Sequence, residues 1–279
     1  MSTAPTKRPL LLGLHALPPT WLRYLLAAIP FVVAIGLYLH FSNLRLEENP
    51  QDKLLPSFSQ MADTIKRYGF EEDRRTGEYL LWKDTSSSLK RIGIGMGLST
   101  LCALLLGLNM GAFKGMEYGG IPFITFIAMI PPIAILPILF LSFGIGELGK
   151  IALIFLGTFP MITRDVYMAV RKLPDEQITK ALSLGASQLA VVYKVILPQI
   201  MPRLLSAVRL SLGAAWLFLL AAEALAATDG LGYRIFLVRR YLSMDVIIPY
   251  VTWITLLSFT FDYTLKLIIQ KHYHWYKAE

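Results

Sequence analysis

Glu223 and Asp262 are carboxylates set inside long apolar stretches. An acid in hydrocarbon is costly, so it faces a neighbouring helix, a partner charge or a watery cavity. Glu223 lies among Ala221, Ala222, Ala224, Ala226 and Ala227, small side chains that let helices approach closely. Two roles fit it equally: a gate group on a solute pathway, or a hydrogen-bonded carboxyl that fixes helix packing. For Asp262 the packing role is expected. Arg164 is a cation near the end of another apolar stretch and could meet an anion leaving a pathway. Pairing with Asp165, or reaching out to lipid head groups, is the more ordinary role and the expected one. Pro131, Pro132 and Pro137 interrupt a further stretch. Broken helices persist in membranes where freed backbone groups meet protein or water, which suits a translocation path. A kink packed by neighbours would leave the same pattern.

Nothing else in the chain resembles a catalytic or metal-binding set. The one cysteine, Cys102, lies in an apolar block and reads as a packing residue. His15, His40, His272 and His274 are scattered or terminal, without zinc-ligand spacing, and the last two beside Trp275 read as an interfacial anchor. No phosphate-binding P-loop pattern occurs, and Gly185-Ala186-Ser187-Gln188 lacks the Gly-x-Ser-Gly of an intramembrane serine protease. The expectation is therefore no catalytic residue, no metal and no cofactor held by this chain.

The elements that must position these residues are membrane helices. Of 279 residues, 55% are hydrophobic and 16% charged, and the apolar excess lies in blocks. The blocks predict spans at 21–41, 92–113, 121–143, 151–170, 205–227 and 246–267, the first retained because no cleavage site follows it. The net charge of +8 fits cytoplasmic loops and lipid head groups, and no nucleic-acid motif accompanies it. The short segments holding Lys114, Arg171, Lys172, Lys180, Lys194, Arg203, Lys266 and Lys271 carry a basic excess, which places both termini inside. Arg234, Arg239 and Arg240 count against that orientation. Residues 42–83 then lie outside. There a turn at Leu55-Pro56-Ser57 leads into a short helix to Tyr68, with Met61, Ile65 and Tyr68 spaced to rest on the membrane surface.

Between the fourth and fifth spans the chain reads Leu173-Pro174-Asp175-Glu176-Gln177-Ile178-Thr179-Lys180-Ala181-Leu182-Ser183-Leu184-Gly185-Ala186-Ser187. Pro174 suits a first helical turn, and Asp175 and Glu176 complement the positive helix start. Ile178, Ala181, Leu182 and Gly185 share one face. Gly185 can end the helix in a left-handed conformation. Ser187 can cap a second short helix whose face is Leu189, Val192, Tyr193 and Ile196. Leu197-Pro198 and Met201-Pro202 are expected to break the chain before the fifth span. Helices this short need a surface to bury against. Periodicity alone leaves open whether that surface is lipid, the bundle or a partner.

This loop resembles the EAA motif of permeases from binding-protein-dependent ABC importers. In that motif a Glu-Ala-Ala triplet is followed by three residues, Gly, nine residues and Ile-x-Leu-Pro. Here Ala181, Gly185 and Val195-Ile196-Leu197-Pro198 keep the spacing, while Thr179 and Lys180 replace the usual Glu and first Ala. Further stretches are similar to the nitrate, sulfonate and taurine subgroup: Ile130-Pro131-Pro132-Ile133-Ala134-Ile135-Leu136-Pro137, Phe143-Gly144-Ile145-Gly146-Glu147, and Ala221-Ala222-Glu223 followed by Ala226-Ala227-Thr228 and Gly230-Leu231-Gly232. The resemblance spans roughly residues 85 to 270.

The resemblance implies an all-α permease core of the type I importer kind, with six transmembrane helices. Residues 1–83 would form a tail, first span and periplasmic loop, and 84–279 the core, with its coupling loop at about 171–203. It implies a transport subunit rather than an enzyme, moving a small anion such as nitrate, a sulfonate, taurine or bicarbonate across the bacterial inner membrane. Its partners would be two ATPase subunits that bind ATP and magnesium, a second permease copy, a periplasmic binding protein and the lipid bilayer, with no nucleic acid. Coupling falls to Asp175, Ile178, Thr179, Ala181, Leu182, Gly185, Ala186, Leu197 and Pro198. The pathway or gate falls to Pro131, Pro132, Pro137, Arg164 and Glu223. A self-sufficient secondary transporter or channel is the alternative, and the absence of internal repeats counts against it.

Overall fold

Each apolar stretch forms a helix, because in a bilayer the backbone must satisfy its own hydrogen bonds. The computed structural model describes residues 18–49, 52–74 and 76–276. His15, read above as a scattered histidine, lies outside the described residues. The helices are α1 (Thr20–Glu48), α2 (Phe58–Phe70), α3 (Leu80–Ala112), α4 (Lys114–Met129), α5 (Leu136–Phe143), α6 (Glu147–Arg171), α7 (Asp175–Ser183), α8 (Gln188–Val191), α9 (Leu197–Ala226), α10 (Leu231–Arg239) and α11 (Met244–His272). Among the described residues, five helical runs are long and apolar enough to cross a membrane: α1, α3, α6, Gln188–Ala226 and α11. A sixth crossing exists if α4 and residues 132–143 count as one, for these two arms meet at 82°.

Three departures from the expected spans have local causes. First, α3 begins at Leu80, not at residue 92, so the polar run Asp84–Ser88 is helical, and Asp84, Thr85, Ser88 and Arg91 are buried. Second, the expected span 121–143 is bent far beyond a kink. Ile130 N donates to Ile127 O and Ala134 N to Pro131 O, so one helix closes and a tight turn, Pro132–Ile135, opens the next. Two adjacent prolines supply no backbone donors to continue the ladder. Third, Leu197-Pro198 and Met201-Pro202 do not break the chain. A π-helical turn, Val192–Ile196, joins α8 to α9, with Leu197 N donating to Val192 O. This wide turn puts Pro198 at the start of α9, where no donor is needed. Pro202 continues inside α9.

The centre of the bundle is α6, packed along α3 on one side and α9 on the other. A small-residue stripe on α3, Gly95, Ser99, Ala103, Gly107 and Gly111, recurs every fourth position and brings the backbones together. A Cβ on Gly107 would lie 2.7 Å from Thr163 O, and one on Gly111 would lie 2.5 Å from Val170 Cβ. Ser99 Oγ donates to Phe155 O at 3.1 Å and accepts from Thr158 Oγ1 at 2.8 Å.

The α1 helix stands apart, with only 6% of its apolar window buried. Tyr38 Oη donates to Pro56 O at 2.6 Å and Ser42 Oγ to Leu55 O at 2.9 Å, tying α1 to the turn before α2. Ser57 and Gln60 form a reciprocal cap on α2. Met61, Ile65 and Tyr68 do share a face of α2 and line one apolar groove, which turns toward α1 and α11: Met61 is buried, Tyr68 meets the Tyr250 ring edge-on at 6.1 Å, and Ile65 is exposed. The bundle, through α11, takes most of the surface that sequence spacing assigned to lipid.

Candidate functional site: a buried ion network and a capped loop at opposite ends of the bundle

At the end where α3 and α6 begin and α9 finishes, Arg91 gathers three carboxylates. Its Nε and Nη2 reach Glu147 Oε2 and Oε1 at 2.6 and 2.8 Å, a bidentate pair. Its Nη1 donates to Glu223 Oε1 at 2.7 Å and to Asp229 O at 2.9 Å, and Nη2 meets Asp229 Oδ1 at 2.5 Å. The Arg91 side chain is 3% exposed and that of Glu223 0%. Ser88 Oγ donates to Glu223 Oε1 at 2.7 Å, and Gly232 N to Oε2 at 2.8 Å. Asp84 receives Gly230 N at 3.0 Å, Arg234 Nε at 2.8 Å and Tyr250 Oη at 3.2 Å. Lys150 joins through Glu147 at 2.8 Å.

The Gly230-Leu231-Gly232 turn fits this network because it has no side chain in the way. Gly230 has φ +115°, and a Cβ there would lie 2.5 Å from Glu223 Oε1 and 2.7 Å from Arg91 Nη1. The turn's amides point inward and satisfy Asp84, Ser88 and Glu223. One guanidinium thus ties α3, α6, α9 and the 227–230 turn. Of these residues the sequence reading singled out Glu223 as a site residue; it missed Arg91, Asp84, Asp229 and Arg234. A signal existed: Asp84, Ser88 and Arg91 stand at i, i+4 and i+7, one face of a helix.

At the other end α7 closes on Gly185, whose φ is +85° as expected. Ala186 N donates to Ala181 O at 3.1 Å and Gly185 N to Leu182 O at 2.9 Å, the two bonds of a Schellman cap. Ser187 Oγ accepts from Ala190 N at 3.2 Å and starts α8. The expected apolar face of α7 divides. Ile178, Ala181 and Ala186 pack against the bundle, while Leu182 is 41% exposed and the neighbouring Leu184 88%. In α8 and the wide turn, Val191, Val192 and Ile196 are buried, whereas Leu189 and Tyr193 face out. The π turn changes the register, so the 3.6-residue face that sequence spacing draws through Leu189 and Tyr193 is not the inward one. Asp175, Thr179 and Pro198 are exposed and Leu197 is half-buried. Thr179 Oγ1 turns back to Asp175 O at 3.0 Å.

The remaining candidates stand apart from both clusters. Pro131 and Pro137 are exposed on the bent segment and Pro132 is half-buried. Arg164 is exposed on α6, with no hydrogen bond or ion pair among the described residues, so the expected pairing with Asp165 is not made. Asp262 on α11 accepts from Arg209 Nε of α9 at 2.5 Å, the expected packing role.

Comparison with known proteins agrees with this architecture. Residues 99–273 match the family described as binding-protein-dependent transport system inner membrane component. The chain is 33% identical over 196 residues to the taurine transport system permease protein TauC of Escherichia coli, covering 70% of this chain and 71% of that one. It is 32% identical over 149 residues to the putative aliphatic sulfonates transport permease protein SsuC of Escherichia coli, 53% of this chain and 57% of that one. An inward-facing structure of the MetNI methionine ABC transporter superposes with a TM-score of 0.62 over 69% of this chain and 96% of that one, at 20% identity, a likeness of fold.

Proposed function

The chain belongs to the binding-protein-dependent transport system inner membrane component family, and we propose that the solute it moves is a small molecule bearing an anionic group, of the sulfonate, taurine, nitrate or bicarbonate kind. It is a multi-pass permease subunit of an ABC importer, a transport subunit and not an enzyme, working with an ATPase and a substrate-binding protein. The names of the taurine and sulfonate relatives support the solute class.

In this reading the α7 end is cytoplasmic, as are both termini, and α7 with Gly185 is the coupling element. The observation that carries it is the exposed surface of a rigidly capped loop: Asp175, Thr179, Leu182 and Leu184 project from a helix whose other face is anchored in the bundle. Two ATPase subunits, binding the ATP and magnesium, press on two such loops. A second permease copy completes the pathway, and the exposed α9 stripe Leu210, Leu217 and Leu225 offers it an apolar face. The bent segment at Pro131, Pro132 and Pro137 and the unpaired Arg164 line the route. Glu223 serves the gate indirectly, by holding the far end of α9 to α3 through Arg91.

The test is reconstitution of the permease with its ATPase and binding protein in proteoliposomes, measuring uptake of labelled taurine, an alkanesulfonate, nitrate and bicarbonate. ATP-dependent uptake of one of the four, lost without the binding protein, is expected. ATP-dependent uptake of none of them overturns the solute class.

A further inference from the structure

Arg234, Arg239 and Arg240 run against the basic-inside pattern, and the fold accounts for the first of them only. Arg234 closes on the buried Asp84, its Nε 2.8 Å from Oδ2. Arg239 and Arg240 are exposed where α10 ends, and among the described residues neither forms an ion pair. The Arg239 guanidinium lies 5.9 Å from the centre of the exposed Phe236 ring. Tyr241 and Leu242 follow, 70% and 54% exposed. Arginine and aromatic side chains carry much of the binding energy at protein interfaces, and this patch is built of them.

The patch has a set shape. Leu242, at φ +54°, is the one non-glycine residue with positive φ among the described residues. Tyr241 N donates to Val238 O at 3.0 Å, Leu242 N to Arg239 O at 3.1 Å and Met244 N to Lys53 O at 3.1 Å. The last bond fastens the turn to segment 45–53, which carries Arg45, Glu47, Glu48, Asp52 and Lys53, so the patch stands at the level of water and not of hydrocarbon. Strained backbone held by its surroundings points to a function. Lipid head groups move to meet a side chain and need no fixed knob, whereas a folded partner gains from one that is already shaped.

We infer that residues 236–242 are a docking knob for the substrate-binding protein, which meets it with an acidic surface. The inference rests on the reading of the chain as an importer permease whose α10 side faces outside. Arg239 and Arg240 steer the encounter and pair with carboxylates of the partner, and Tyr241 and Leu242 bury against it. The α10 helix is about 13 Å long. Its other end is held to Asp84 by Gly230 N and Arg234. Docking at one end of this short rod therefore bears on the buried ion network at the other.

The permease–ATPase complex, in nanodiscs of phosphatidylethanolamine and phosphatidylglycerol, can be titrated with its purified binding protein. The parent should bind, and more weakly as salt rises. Arg239→Glu combined with Arg240→Glu should lower the affinity on the order of tenfold. Lys66→Glu, an exposed charge on α2, should leave it within a factor of about two. Because both arginines are exposed, the thermal midpoint of the double variant should stay near that of the parent. A photo-crosslinking benzoylphenylalanine in place of Tyr241 should join to the binding protein, within a peptide bearing Asp or Glu. If the double variant does not fold, the crosslink decides alone. Unchanged affinity in a folded double variant, or a crosslink to lipid or to a second permease copy in place of the binding protein, overturns the knob while the importer reading stands. A parent complex that does not bind the binding protein overturns both.

Discussion

Arg91 and Glu223 meet at 2.7 Å across the α3–α9 contact, the arginine 3% exposed and the glutamate fully buried. Neither charge could stay buried alone. Removing the arginine leaves uncompensated carboxylates and costs about 3–5 kcal/mol, whereas neutralising Glu223 costs less, because Glu147 and Asp229 still answer Arg91 and one acceptor is lost where Gly232 N or Arg91 Nη1 donates. Arg91→Ala should therefore lower the melting temperature in detergent by several degrees or abolish expression. Glu223→Gln should stay monodisperse and assembled, and should alter transport-coupled ATP hydrolysis. If uptake and basal hydrolysis of Glu223→Gln both match the parent, Glu223 has no part in gating.

Gly230 faces the same pair. With φ +115° and a Cβ that would sit 2.5 Å from Glu223, Gly230→Ala must displace the 227–230 turn from the network. Gly144→Ala supplies the control, because Gly144 also has positive φ, at +79°, but open space beyond its Cβ. Uptake by Gly230→Ala should fall well below that by Gly144→Ala. Equal uptake would show that the turn tolerates the displacement.

The α3–α6 stripe is a stability device. Gly107→Val places methyls where Thr163 O and Val166 already stand within 3 Å. Overpacking of this kind costs about 1–3 kcal/mol. The thermal midpoint in detergent should drop. Gly97→Val, whose Cβ meets nothing within 4 Å, should leave it near the parent value. Similar midpoints for the two would mean the helices separate at little cost.

The proposed coupling rests on Gly185 and the exposed leucines. A β-branched residue at φ +85° is strained by on the order of 1–2 kcal/mol, and it disturbs the Schellman cap that sets the angle between α7 and α8. Gly185→Val should leave the bundle folded, weaken recovery of the ATPase with the tagged permease and abolish uptake. Leu182→Asp should do the same by placing a charge in the contact. Since Leu182 is 41% exposed in the single chain, its effect on bundle stability should be small. Normal ATPase recovery with both would remove the loop from coupling.

Orientation has a direct check. A cysteine at Ser59, exposed on α2, should react with an impermeant thiol reagent in cells whose outer membrane is permeabilised, and one at Ser183 should not. Labelling at Ser183 alone would invert the assignment.

The sequence by itself determined the class of molecule, the apolar helices and the loop that ends on Gly185. Those features are local: hydropathy, a 3.6-residue period, a glycine where φ must be positive and a serine where a helix needs a cap. Spacing also held the small-residue stripe on α3 and the polar face Asp84, Ser88 and Arg91, although the reading stopped short of both. What only the tertiary structure decided were the meetings of residues far apart in the chain. Arg91 joins Glu147, Glu223 and Asp229 from three separate segments, and no local rule specifies which carboxylate answers a buried cation. The division of α7 into an anchored face and a projecting one was settled by where the bundle lies. The π turn before Pro198 likewise changed a face that a regular helix would have continued. A period states which residues share a side of a helix, and packing states what lies against that side.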